Sequence, residues 1–100
     1  MMVEISISST KPHFSQCHQI FGLTYIIEFE WIENEGYFVM HLYNALEEAI
    51  ALGLKVQTSW PIFIHREHNT CFFLVAKNSN TNPCLKTLAT DFTLIAYELI

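Results

Sequence analysis

The sequence predicts a single α+β domain over residues 1–100. We expect a mostly antiparallel sheet of about five strands, made of two hairpins and an N-terminal strand, with two helices packed on one face. Short apolar runs that alternate with polar residues, or lie between turn residues, indicate the strands. Two other segments place apolar side chains at helical spacing behind residues that favour helix starts. A chain of 100 residues can bury one hydrophobic core.

The chain begins with a predicted strand in which Val3, Ile5 and Ile7 alternate with polar residues, so that one face is buried. The polar residues 9–12 end this strand. Residues 13–23 have apolar side chains at helical spacing, and either a short helix or a structured loop would fit them.

Residues 24–33 and 37–43 predict a hairpin, because both are rich in β-branched and aromatic residues. The turn is expected at residues 33–36, which places Ile32 opposite Tyr37. In this register one face is wholly apolar and should join the core. It carries Ile27, Phe29, Trp31, Phe38, Met40 and Leu42.

A helix is expected next, over residues 45–52. Asn44 and Glu47 have the spacing of a capping box, in which each side chain satisfies a free backbone amide at the start of a helix. The following residues are good helix formers, and Gly53 is placed to end the helix in a left-handed conformation.

Residues 62–67 and 71–77 predict a second hairpin around His68 and Asn69, because asparagine tolerates the positive φ of a tight turn. Both faces of this hairpin are apolar. Residues 78–82 form a predicted polar loop. From Asn82 to the end of the chain, apolar residues follow helical spacing and predict the second helix.

Composition excludes several classes of protein. Apolar residues make up 51 % of the chain and charged residues only 15 %, so we expect exposed apolar surface that is suited to a partner. The net charge is −5 and the five Lys and Arg are scattered, which argues against nucleic-acid binding. No segment approaches the ~20 consecutive apolar residues of a membrane helix. Three cysteines at irregular spacing and no secretory pattern predict a cytoplasmic protein with reduced thiols.

Glu28 and His41 face each other in the predicted hairpin and are the candidate catalytic residues. A carboxylate beside an imidazole raises the pKa of the imidazole and can orient it for acid–base chemistry. An ordinary cross-strand polar pair is the alternative, because the sequence shows no nucleophile or oxyanion site beside them.

His65, His68 and Cys71 are the candidate metal ligands, since imidazole and thiolate bind zinc well. Their spacing matches no standard zinc finger, and histidines in a turn are the alternative. The carboxylates of the first hairpin are a further candidate, either for a basic partner or for a cation, and otherwise serve solubility. They belong to Glu28, Glu30, Glu33 and Glu35. We predict no cofactor.

These observations favour a small non-catalytic binding module that acts as a homodimer or as an accessory partner of another protein. Tyr37, Val39, Tyr43 and Trp60 are the predicted interface, because aromatic residues often anchor protein contacts. The alternative is a small enzyme or ligand-binding domain that uses Glu28 and His41 in a pocket between sheet and helices.

Overall fold

The structure, a computed structural model, describes residues 1–77 and 82–99 and shows two antiparallel sheets of four strands each. Strands make up 56 % of the described residues and helical residues 7 %. The predicted α+β fold with two helices is therefore wrong, and the chain is nearly all β. Of the predicted polar loop, residues 78–81 lie outside the described residues, as does residue 100 at the end of the second predicted helix.

The described residues form eight strands, a 3₁₀ turn and one short helix. They are β1 (Met2–Ile5), β2 (His13–Ile20), β3 (Leu23–Ile32), β4 (Tyr37–Tyr43), β5 (Ala49–Lys55), β6 (Phe63–His65), the 3₁₀ turn (Arg66–His68), β7 (Thr70–Ala76), α1 (Leu88–Asp91) and β8 (Phe92–Glu98). We call the sheet with strand order β1-β8-β7-β6 sheet A, and the sheet with order β2-β3-β4-β5 sheet B.

The two sheets share one hydrophobic core, to which each contributes its inner face. The ring of Tyr25 in β3 meets the ring of Phe72 in β7 edge-on, with 5.2 Å between the ring centres. Both side chains are completely buried. This is the packing of a β-sandwich, in which side chains from two inner faces interdigitate.

The first predicted hairpin is confirmed, including its register. Ile32 pairs with Tyr37, Phe29 with Met40, and the predicted apolar face lies in or against the core. The undecided segment before it is β2, an edge strand that pairs with β3 along its whole length. Only one face of this edge strand is partly buried, and its apolar residues also fit helical spacing, so the sequence did not distinguish a strand from a helix.

The first predicted helix is a turn followed by strand β5. Asn44 does satisfy free amides, since its Oδ1 accepts hydrogen bonds from the backbone N–H of Leu46 at 2.9 Å and of Glu48 at 3.0 Å. Glu47 has a φ of +63°, which turns the chain back instead of continuing a helix. A helix this short is marginal by itself, whereas pairing with the edge of β4 satisfies the backbone and packs Ile50 and Leu54, partly buried, against the core. Gly53 has the predicted left-handed conformation, at an irregularity between β4 and β5.

The second predicted helix is limited to the four residues of α1 and is followed by β8. In β8 the side chains of Phe92, Leu94 and Ala96 alternate into the core. The same segment also fits helical spacing, because the outward residues Ile95 and Tyr97 are apolar too. The strand forms because β1 and β7 pair with it on both sides.

The second predicted hairpin is confirmed as β6 and β7, in which Phe63 pairs with Phe72. Its first strand is shorter than the predicted residues 62–67, because Arg66–His68 form the 3₁₀ turn. Asn69 has a φ of +49°, as expected for its place in the turn. Among the described residues, no helix is long and apolar enough to cross a membrane.

Candidate interaction surfaces

The outer face of sheet B carries most of the predicted site residues, and we call it the polar face. Alternate residues of β3 and β4 point into the core, so the residues between them point outward. The polar face therefore brings together Glu28 and Glu30 of β3 with His41 and Tyr43 of β4. His13 of edge strand β2 joins them, because it pairs with Glu30 in the sheet.

Glu28 and His41 are cross-strand neighbours as predicted, but their side chains bond to other partners. One oxygen of Glu28 accepts a hydrogen bond from the Tyr43 hydroxyl at 2.9 Å, and the other contacts Nε2 of His13. His41 accepts from the Gly53 backbone N–H at Nδ1, at 2.9 Å, and its Nε2 lies 3.1 Å from Glu30 Oε1. Both nitrogens of His41 thus hold neighbouring strands together, and its catalytic role stays a prediction.

The contact between His13 and Glu28 changes the pKa values of both groups. The hydrogen bond from His13 lowers the pKa of the Glu28 carboxyl, and the hydrogen bond from Tyr43 lowers it further. The same contact with Glu28 raises the pKa of His13. The Tyr43 hydroxyl has a raised pKa, first because it donates to Glu28 and also because charged Glu28 and Glu30 disfavour a phenolate.

An open depression of about 360 Å³ lies on the polar face beside this network. It is lined by Ser15, Ile26, Glu28, Tyr43 and Glu47. The strands supply four of these residues, and the turn between β4 and β5 supplies Glu47. The depression therefore combines two carboxylates, two hydroxyls and one aliphatic side chain.

The predicted interface residues lie in two places. Tyr37, Val39 and Tyr43 share the polar face, whereas Trp60 is 68 % exposed in the connection between β5 and β6. Val39 is only 9 % exposed. Lys55 pairs with it in β5, and the Lys55 ammonium lies 4.7 Å from the centre of the Tyr37 ring. Their contact with a partner stays a prediction.

The candidate metal ligands do not converge. The rings of His65 and His68 have their centres 6.1 Å apart, and Nδ1 of His65 lies 2.7 Å from the Tyr25 hydroxyl oxygen. Cys71 is on the opposite face of β7 from the core residue Phe72. Burial lowers the pKa of His65 and raises the pKa of the Cys71 thiol. Among residues 1–77 and 82–99, no group of three or more His, Cys, Asp or Glu could hold a metal ion.

The outer face of sheet A is a second surface, which we call the apolar face. Its outward side chains are Met2, Glu4, Ile64, Cys71, Phe73, Val75, Thr93, Ile95 and Tyr97, of which all but Glu4 and Thr93 are apolar. Phe73 and Tyr97 stack with 5.2 Å between ring centres, and Val75 is 43 % exposed. The sequence shows both faces of the second hairpin to be apolar, but it does not indicate that β8 completes this surface. A strand in place of the predicted helix brings Ile95 and Tyr97 beside Phe73.

The chain matches the model of a known protein family over nearly its whole length. The model of the family described as cyanophage baseplate Pam3 plug gp18 matches residues 2–98, which include every strand of both sheets. No curated protein matches the chain. The family match confirms the coarser prediction, a small non-catalytic module with a structural or interaction role.

Proposed function

The chain belongs to the family of the cyanophage baseplate Pam3 plug gp18, and on that premise we propose that it is a structural component of a phage baseplate. It assembles there with other baseplate proteins or with copies of itself. The observation that carries this proposal is the length of the match, which runs from the first residue of β1 to the last residue of β8. The whole fold therefore belongs to the family.

The apolar face supports an assembly role. Stacked Phe73 and Tyr97 lie beside the exposed Val75, and contiguous exposed apolar surface marks interaction sites on soluble proteins. Aromatic side chains supply large contact areas and are enriched where binding energy concentrates.

The size of the apolar face favours an assembly with several contacts over a simple dimer. Each strand residue covers about 16 Å² of a sheet, from a rise of ~3.3 Å and a strand spacing of ~4.8 Å. The 21 residues in the strands of sheet A then have a planar footprint of roughly 330 Å² per copy, which is small beside the ~800 Å² of accessible surface that each partner buries in a standard interface. A homodimer held by this face alone, which is not the face of the predicted interface residues Tyr37, Val39 and Tyr43, would therefore be weak and depend on concentration. A stable assembly uses further contacts with other proteins.

The test is reconstitution from purified proteins. The chain is co-expressed with the proteins encoded beside its gene, and complexes are isolated and weighed by native mass spectrometry. We expect a complex of defined stoichiometry that contains the chain. If the chain remains a monomer with every neighbouring protein and at all concentrations, the proposal is wrong.

A pair of variants locates the contact on the apolar face. Val75→Glu places a charge on that face, whereas Leu52→Glu makes a comparable change on edge strand β5 of sheet B, where Leu52 is 58 % exposed. We expect Val75→Glu to weaken the assembly and Leu52→Glu to leave it intact. If both variants assemble as well as the wild type, the apolar face does not contact a partner and this part of the proposal is wrong.

A further inference from the structure

We propose that the depression on the polar face binds a positively charged side chain, preferably arginine, from a partner protein. This inference rests on the proposed function, since it names the chemistry of a partner in the assembly. The depression is about 360 Å³ in volume, which is within the size range of ligand sites. Its lining combines carboxylates with an aromatic ring and an aliphatic side chain.

The charge of the depression is complementary to a cation. Glu28 and Glu47 line it, and its lining includes no Lys or Arg. His13 and Tyr43 each bond one oxygen of Glu28, and a protonated His13 offsets part of its charge, so Glu47 contributes most of the negative charge. Each oxygen of Glu28 keeps a second lone pair that can accept from a ligand. The hydrogen bond that Tyr43 donates to Glu28 raises the pKa of Tyr43, and the charges of Glu28 and Glu30 raise it further, in agreement with negative potential here.

The shape and the remaining groups favour arginine over lysine. Ile26 and Tyr43 offer apolar surface to the aliphatic stem of the ligand, and the Tyr43 ring can stack with a planar guanidinium. The five N–H donors of a guanidinium can reach two separate carboxylates at once, whereas an ammonium is a point charge. Ser15 adds a hydroxyl oxygen that can accept another of these donors.

The overall charge indicates that the arginine belongs to a different protein rather than to a second copy of the chain. The chain carries ten acidic and five basic residues, so its net charge is −5. Two copies repel each other, whereas a basic partner is attracted and oriented by the acidic surface.

The test uses N-acetyl-arginine methylamide as the probe. It is titrated into ¹⁵N-labelled chain while backbone amide shifts are recorded, and N-acetyl-norleucine methylamide serves as an uncharged control of similar length. We expect saturable shifts at Ser15, Ile26, Tyr43 and Glu47 with the charged probe only. Shifts spread over acidic residues in general, or equal shifts with norleucine, would overturn the proposal.

Matched variants identify the carboxylate that contributes. Glu47→Gln removes one charge from the depression, and Glu35→Gln removes one charge from the exposed turn between β3 and β4. We expect Glu47→Gln to weaken probe binding about three- to fivefold, the effect of losing one partly screened ion pair, and Glu35→Gln to leave it nearly unchanged. Equal effects of the two variants would show only general attraction to an acidic protein, contrary to the proposal.

The two proposals can fail separately. If the chain forms a baseplate complex but the probe gives no saturable local shifts, the arginine site is wrong and the structural role stands. If the probe binds at the depression but no neighbouring protein forms a complex with the chain, the structural role is wrong.

Discussion

Replacing Tyr25 by Phe tests the polar contact that joins the two sheets inside the core. The Tyr25 side chain is completely buried, and its hydroxyl oxygen lies 2.7 Å from Nδ1 of His65. Phenylalanine keeps the edge-on packing against Phe72, whose ring centre is 5.2 Å away, and removes only the hydroxyl. Because Nδ1 of His65 then loses its partner inside a partly buried site, we expect a loss of about 1–2 kcal/mol in the free energy of unfolding.

The assay is urea unfolding of wild-type and Tyr25→Phe protein, followed by tryptophan fluorescence. For a domain of this size, each ~1 kcal/mol corresponds to a decrease of roughly 4–8 °C in Tm. Tyr43→Phe is the matched control, since it removes a hydroxyl that donates to Glu28 on the partly exposed polar face. A loss within ~0.5 kcal/mol for Tyr25→Phe, or one no larger than for Tyr43→Phe, would refute the reasoning.

The pH dependence of stability is a second test of the contact between Tyr25 and His65. Burial lowers the pKa of His65 below its ordinary value of 6.5, so the unfolded chain binds a proton more readily than the folded protein. Stability from this group is present above pH 6.5 and decreases as the pH falls through the lowered pKa. A His65→Gln variant should therefore lose less stability than the wild type on acidification.

Two other predictions concern sheet B. Asn44→Ala removes the side-chain oxygen that accepts from the Leu46 and Glu48 amides. Urea unfolding should show a loss of about 1–2 kcal/mol in the free energy of unfolding. An unchanged free energy would mean that the turn forms without this side chain. The His13–Glu28 pair stabilises the fold fully between pH 4.5 and pH 6.5, the ordinary pKa values of the two groups. The contribution of Glu28 is lost as the pH falls through the lowered pKa of its carboxyl. The contribution of His13 is lost as the pH rises through the raised pKa of its imidazole. His13→Asn should therefore cost more at about pH 5.5 than at about pH 8.5, by less than ~1 kcal/mol for this exposed pair, and an equal cost at both values would contradict that assignment.

The candidate sites were only partly predictable from the sequence. Pairing of Glu28 with His41 followed from the hairpin register, and it is confirmed. The hydrogen bonds did not follow, because His13 reaches Glu28 only after β2 joins the sheet. The apolar face could not be predicted for a similar reason, because it forms only when β8 pairs with β7.

The sequence by itself determined the elements whose contacts are local. The hairpin of β3 and β4 is defined by turn residues and by neighbouring strands whose apolar residues lie on one face. The left-handed residues Gly53 and Asn69 were also predictable, because local sterics restrict that conformation to few residue types.

Only the tertiary structure decided between helix and strand for residues 45–52 and for the segment of β8. Both have apolar residues that fit a period of 3.6 and a period of 2, so local sequence cannot choose. Their partners are distant or lie across a turn: β8 pairs with β1 from the other end of the chain, and β5 completes the edge of β4. Hydrogen bonding to those strands outweighs helix propensity, which is a weak preference per residue. In β8, burial of alternate side chains between the two sheets adds to it.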